Sequence, residues 1–220
     1  MEGGAARGCA GRWRPRCAGR WDARGGKGRY APGMHRIGLV ALVDMDGTLC
    51  DYDGAMAQGL AEIRAPGEVG PVEAEEREPA WMRARVSLVR RQPGWWRRLA
   101  RLERGFEVLA ELQALRFEIH VLTKGPAGAP SAWTEKLEWC QENLPGVPVT
   151  ITMDKGLVYG KVLVDDYPPY VERWLEWRPR GLVIMPAQPW NEGYRRDRVL
   201  RYDGTNLDAV RAALRELCEA

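Results

Sequence analysis

Two pairs of aspartates carry the most chemistry in this chain: Asp44 and Asp46, one residue apart, and the adjacent Asp165 and Asp166. Each pair follows an apolar run, Ile37–Val43 or Val162–Val164. A carboxylate can serve as a covalent nucleophile and carry a phosphoryl group as an aspartyl-phosphate. Four carboxylates gathered in one place repel one another unless a cation sits among them. Ligation by oxygen alone selects a hard ion, Mg²⁺ before any soft metal. Phosphoryl transfer further needs donors and positive charge around the equatorial oxygens. Thr123, at the end of the run Phe117–Leu122, offers a hydroxyl, and Lys155, ten positions before Asp165, offers an ammonium. Lys124 ranks behind Lys155 for contact with phosphate, and Lys161, which opens a strand, is expected to face solvent. Gly47 lets the chain turn sharply behind the first aspartate pair.

These residues converge only if the elements between them place them at one edge. Residues 37–43 read as a central parallel strand buried on both faces. Further strands are predicted at 117–122, 147–153, 162–164 and 181–185. Helices are predicted at 99–115, 131–144 with Ser131 as N-cap, near 168–177, and at 206–219. Strands alternating with helices imply an α/β fold, a Rossmann-like three-layer parallel sheet. Ligands bind beyond the carboxyl ends of such strands, where all the residues named above fall. Residues 51–98 are charged, weakly periodic and carry Trp81, Trp95 and Trp96; they read as a small helical cap inserted after the first strand. The core is then 37–50 and 99–220.

Composition narrows the function classes. The chain has 220 residues, 45% hydrophobic and 29% charged, with a formal net charge of +3. Residues 1–36 hold nine basic residues against two acidic ones, so the remaining 184 sum to about −4. A mildly acidic globular part gives no reason to expect nucleic acid as a partner. The first 36 residues are rich in Arg and Gly and repeat Cys-Ala-Gly-Arg-Trp at 9–13 and 17–21. That composition is expected to leave them a disordered tail, with Met34 standing where a natural start would fall. Five scattered cysteines suggest neither a zinc site nor a disulfide framework, and a reducing cytoplasm is the simplest setting. No apolar run reaches the ~20 residues of a membrane span. His35 lies at the edge of the tail and His120 inside a strand, so neither is expected to be catalytic.

Taken in order, Asp44-Met45-Asp46-Gly47-Thr48-Leu49 resembles the first motif of the haloacid-dehalogenase-like superfamily, Thr123 its second, Lys155 its third and Asp165-Asp166 its fourth. The resemblance implies that Asp44 attacks phosphorus and that Asp46 acts as general acid, then base. It also implies a metal held by the Asp44 carboxylate, the Asp46 carbonyl and a fourth-motif acid, Asp166 directly with Asp165 behind it. The likeness is closest to the 5′(3′)-deoxyribonucleotidases. It rests there on Asp44–Asp53 with Tyr52, on Pro93-Gly94-Trp95-Trp96, on Met153-Asp154-Lys155 and on Pro189-Trp190-Asn191. Lys124 departs from that family, which often has a small hydroxyl residue after the threonine, and 54–92 offer little recognisable detail.

The expected substrate is a small phosphorylated one, a nucleoside or deoxynucleoside monophosphate. A sugar phosphate is the nearest alternative, and a non-catalytic phosphate-binding relative the more distant one. Two readings stay open for Tyr52, Trp95 and Trp96: a stack for the nucleobase, or the packed interior of a helical cap. Trp133, Trp139, Trp174 and Trp177 are expected in helix packing. A homodimer is compatible with these features.

Overall fold

A computed structural model describes residues 38–65 and 80–219. The expected Arg/Gly tail, and the part of the expected cap at 66–79, lie outside the described residues. The described strands form one six-stranded sheet in the order β3-β2-β1-β4-β5-β6. They are β1 (Val40–Val43), β2 (Glu118–Lys124), β3 (Val149–Thr152), β4 (Val162–Val164), β5 (Leu182–Pro186) and β6 (Val199–Tyr202). Every pairing is parallel. The helices are α1 (Tyr52–Glu62), α2 (Ala80–Arg90), α3 (Glu103–Ala114), α4 (Pro130–Asn143), α5 (Pro168–Trp177) and α6 (Leu207–Glu219).

Alternation along the strands builds the layers. Ala41 and Val43, Val162 and Val164, and Leu182 and Ile184 enter one core with Leu109 and Leu112 of α3 and Val210 and Leu214 of α6. Leu42, Leu163, Val183 and Met185 point the other way, onto Val171, Trp174 and Leu175 of α5. Both faces of the central strands are therefore covered, as continuous apolar runs require. The fold is the Rossmann-like three-layer α/β architecture that the strand–helix alternation implied.

Several boundaries differ from the expectation for local reasons. The helix foreseen at 99–115 begins only at Glu103. Ahead of it the backbone bonds to the loop after β1: Asp51 N–H donates to Ala100 O at 2.8 Å and Leu102 N–H to Leu49 O at 3.0 Å. Those groups cannot also close helical turns. Ser131 does not cap α4, whose N-cap is Ala129 without a side-chain bond, with Pro130 in the first turn. Pro there loses nothing, because the N–H it lacks has no helical partner at that position. β6 was not foreseen. Arg201 breaks the apolar run of this short edge strand, only one side of which pairs. Trp139 and Trp174 are buried as expected, but Trp177 at the end of α5 is 63% exposed. Among the described residues no helix is long and apolar enough to cross a membrane.

Between β1 and α3, α1 and α2 pack through facing stripes. Met82, Val86 and Val89 of α2 are buried, and a methyl at Gly59 of α1 would come within 2.6 Å of Val89 Cγ1. The stretch that follows is fastened to α4. The Glu135 carboxylate accepts from Gly94 N–H at 2.7 Å and Trp96 N–H at 3.1 Å, and Trp139 Nε1–H donates to Leu99 O at 2.8 Å.

The loop after β1 also fixes the seat of α3. A methyl placed on Gly105 would overlap the Thr48 carbonyl oxygen, a backbone atom that cannot move aside. Gly105→Ala is therefore expected to destabilise the protein by about 1–3 kcal/mol, the usual range for overpacking. The measurement is a urea unfolding midpoint at unchanged slope; an unshifted midpoint would show that α3 is not seated against this loop.

Candidate active site

Asp44 follows β1 directly, and its N–H continues the ladder by donating to Val164 O at 2.8 Å. The chain then folds back on itself: Leu49 N–H and Cys50 N–H both donate to Met45 O, at 2.8 and 2.9 Å. Gly47 sits at φ 71°, and a Cβ there would lie 2.6 Å from Asp166 Oδ2. Glycine is thus required both for the left-handed backbone and for the approach of the Asp166 carboxylate. Gln188 Nε2 donates to Gly47 O at 2.7 Å and ties this turn to the loop after β5.

Lys155, nearly buried, stands between two carboxylates. Its Nζ lies 2.6 Å from Asp44 Oδ1 and 2.7 Å from Asp165 Oδ2. Tyr167 N–H donates to the other Asp165 oxygen at 3.0 Å, so both oxygens of that buried carboxylate have donors. Asp166 accepts from Thr48 Oγ1 at 3.0 Å and from Trp190 Nε1 at 3.2 Å. Carboxylate oxygens of Asp44, Asp165 and Asp166 lie within 4.8 Å of one another.

The electrostatics follow from that crowding. Burial, with Asp165 and Asp46 adding repulsion and Lys155 opposing, pushes the Asp44 carboxyl from 3.8 up to about 7. Burial, then Asp165 and Asp44, holds Asp166 well above the usual carboxylate range. Burial would depress Lys155, but Asp165 and Asp44 outweigh it and hold its ammonium above the ordinary lysine value. Asp44 Oδ1 is sealed from solvent and receives no hydrogen bond of acceptable geometry, although the Lys155 ammonium is close by. Three clustered carboxylates, two of them paired with one ammonium, offer hard oxygen donors that fit a divalent cation of the Mg²⁺ or Ca²⁺ kind.

The second cation of the site escaped the sequence reading. Lys136 of α4 is fully buried. Its Nζ donates to Asp46 Oδ2, to Thr123 Oγ1 at 2.9 Å and to Lys124 O at 2.9 Å. The signal was its place on the buried stripe of α4, with Ala132, Trp139 and Cys140. A lysine in an apolar register is rarely buried unless it is paired. Thr123 is fully buried, so its hydroxyl faces Lys136 beneath the site rather than open space.

Above these groups opens a cavity of about 880 Å³. Asp44, Asp46, Asp166 and Lys155 reach it, and Tyr52, Arg90, Trp96, Lys124, Tyr170 and Trp190 form much of its wall. The Lys124 ammonium lies 5.1 Å and that of Lys155 4.8 Å from the centre of the Tyr170 ring. The two readings of the aromatic group divide. Trp95 and Trp96 are both nearly buried and pack edge-on with ring centres 4.8 Å apart, Tyr52 beside them. Tyr52 and Trp96 also line the cavity, whereas Trp95 is not among its lining residues. Trp96 additionally lies over the Lys136 ammonium, 4.5 Å from ring centre to Nζ.

Comparison with known proteins is consistent along the chain. The family described as 5′ nucleotidase, deoxy (pyrimidine), cytosolic type C protein matches residues 38–204. A Bordetella pertussis protein provisionally named a 5′(3′)-deoxyribonucleotidase is 28% identical over 165 residues, covering 70% of this chain and 86% of that protein. Its similarly named counterpart from Bordetella bronchiseptica is 27% identical with the same coverage. Among solved structures, a provisionally named haloacid dehalogenase-like hydrolase of Burkholderia xenovorans aligns with a TM-score of 0.52 at 17% identity. That alignment covers 85% of this chain and all of the other, and speaks to the fold.

The raised Asp44 carboxyl has a consequence for stability. A group at 3.8 unfolded and about 7 folded keeps its proton longer in the native state, so stability falls as pH rises through that window. Asp44→Asn removes this penalty. With chelator present, the variant is expected to melt a few degrees above the parent at pH 8. The gap should close as the pH falls towards 4. A gap independent of pH would mean that Asp44 is not the group responsible.

Proposed function

The chain belongs to the 5′ nucleotidase, deoxy (pyrimidine), cytosolic type C family of haloacid-dehalogenase-like hydrolases, and on that footing we propose that it hydrolyses nucleoside or deoxynucleoside monophosphates through an aspartyl-phosphate with Mg²⁺ bound. The observation that carries this reading is the clustering of the Asp44, Asp165 and Asp166 carboxylates, the first two on one ammonium, with Asp46 on a second, beneath one cavity.

The Asp44 carboxylate attacks phosphorus in line with the ester oxygen, forming the acyl-phosphate bond as the ester P–O bond breaks. Lys155 fixes the Asp44 side chain through Oδ1 and offsets its charge. Asp46, steadied by Lys136 and about a quarter exposed, delivers a proton to the departing alcohol oxygen. In the second half it takes a proton from water, which attacks the phosphoryl group, releases inorganic phosphate and restores Asp44. Asp44 and Asp166, with the Asp46 carbonyl, would hold Mg²⁺, and Asp165, both oxygens engaged by donors, would orient Lys155 behind them. When bound, the ion neutralises the carboxylate cluster and polarises a phosphoryl oxygen. Lys124, which forms no ion pair with a carboxylate among the described residues, supplies further positive charge at the cavity wall. Tyr52 and Trp96 give the leaving group an apolar surface.

The described segments 51–65 and 80–98 would act as a cap over this chemistry. The fastening of 94–99 to α4 makes that end a fixed wall, so closure would fall to α1 and α2. The free buried thiols of Cys50 and Cys140 suit the reducing cytoplasm expected from the cysteine pattern.

The test is phosphate release from a panel of nucleoside monophosphates and sugar phosphates, with Mg²⁺ and with chelator. Turnover is expected to need Mg²⁺ and to rank nucleotides first. Asp44→Asn should lose on the order of 10³-fold or more in kcat. Asp46→Asn should lose about 10²–10⁴-fold, the range for a positioned acid–base group. Full activity in Asp44→Asn would sink the covalent mechanism. A panel led by sugar phosphates would move the substrate and leave the mechanism standing.

A further inference from the structure

Two ammoniums on the cavity wall share one aromatic ring. Tyr170 of α5 stands beside both: its ring centre lies 5.1 Å from Lys124 Nζ and 4.8 Å from Lys155 Nζ. The two charges are therefore no more than about 10 Å apart. Each part of this arrangement has a rigid mount. Lys124 ends β2, where it pairs with Thr152 of β3 and its carbonyl accepts from Lys136 Nζ at 2.9 Å. Tyr170 lies in the first turn of α5, close behind Asp166, and its N–H donates to Tyr167 O at 3.0 Å. The Tyr167 ring packs edge-on against it, with centres 4.9 Å apart. Both tyrosines and both lysines line the cavity, together with Asp44 and Asp166.

A ring face attracts a cation through its quadrupole and removes neither its charge nor its N–H groups. A carboxylate partner would instead neutralise the ammonium and compete with an incoming phosphate. The Asp154 carboxylate, near enough to feel the Lys124 charge, is engaged by Arg173 at 2.9 Å and by Gly156 N–H at 2.8 Å. Lys155 is already bridged between Asp44 and Asp165, so the ring has more to fix at Lys124. Like charges at one ring repel each other, and a phosphoryl dianion entering beside them removes that repulsion.

We propose that Tyr170 is a positioning residue that holds the Lys124 ammonium towards the equatorial oxygens of the substrate phosphoryl group, as one half of a clamp that Lys155 completes. The proposal rests on the phosphohydrolase part of the reading above and adds to it a residue that lies outside the four motifs.

The experiment measures binding of inorganic phosphate to the Mg²⁺-loaded protein by titration calorimetry, whose stoichiometry also reports the folded fraction. KM and kcat for thymidine monophosphate are measured beside it. The proteins are the parent, Lys124→Met, Tyr170→Leu, Tyr170→Phe and the double variant Lys124→Met with Tyr170→Leu. Lys124→Met is expected to weaken phosphate binding by about 10–100-fold, the scale of a hydrogen bond from a charged group. Tyr170→Leu should weaken it by about 3–10-fold, the scale of a cation–π contact, and raise KM more than it lowers kcat. Tyr170→Phe keeps the ring and should bind phosphate as the parent does. The double variant should lose no more than Lys124→Met alone, because the ring then has no ammonium to place. Additive losses, which a merely structural role for Tyr170 would produce, overturn the proposal. So does a Tyr170→Phe variant as weak as Tyr170→Leu, or a parent that binds no phosphate. The expected binding pattern in a protein that hydrolyses sugar phosphates and no nucleotide supports the clamp and overturns the nucleotide reading alone.

Discussion

Repulsion among buried carboxylates is the constraint around which this site is organised. Asp44, Asp165 and Asp166 are almost inaccessible to water and crowd within a few ångströms, an arrangement that burial alone would reject. Lys155 makes it tolerable by bridging Asp44 and Asp165. Donors from Thr48, Trp190 and Tyr167 engage the remaining oxygens of the fourth-motif pair. The compensation is incomplete, as the raised Asp44 and Asp166 carboxyls record. A fold that holds unbalanced negative charge in place has prepared a seat for a cation, and the energy of that preparation comes from the covered sheet beneath it.

The parallel sheet explains how so much chemistry reaches one point. β1 and β4 are neighbours and end side by side, so the residues just past Val43 and Val164 emerge together. β2 lies on the other flank of β1 and brings Thr123 and Lys124 to the same edge. Gly47 then permits the close approach of the Asp166 carboxylate, and Gly105 lets α3 lie against the same loop. The geometry of the site is set here by close backbone contacts as much as by the aspartates themselves.

Lys136 links that edge to the segment between β1 and α3. It bonds Asp46 and Thr123 below, while Trp96 lies over its ammonium and the neighbouring Glu135 carboxylate accepts from Gly94 and Trp96. The residue proposed as acid–base and the aromatic wall of the cavity thus share one support on α4. A shift of the wall would be felt at Asp46 without any intervening moving part.

Much of this was legible in the order of residues. Asp44-x-Asp46, Asp165-Asp166 and Lys155 stand beside apolar runs that become strands, and local pattern alone predicts a parallel sheet with those groups at its carboxyl edge. Lys136 was not legible in the same way. A lysine within a helix reads as solvated until packing shows which stripe faces inward, and its partners Asp46 and Thr123 lie 90 and 13 positions away. The start of α3 depended on bonds to Leu49 and Asp51 from an approaching segment, and the division of Trp95 from Trp96 on which ring reached the cavity. Local residue pattern, then, determined the kind of chemistry and the architecture, because strand period and motif spacing are short-range properties. Tertiary packing alone decided which charges meet and which side chains line the cavity, because those are set by distances between elements that no local period encodes.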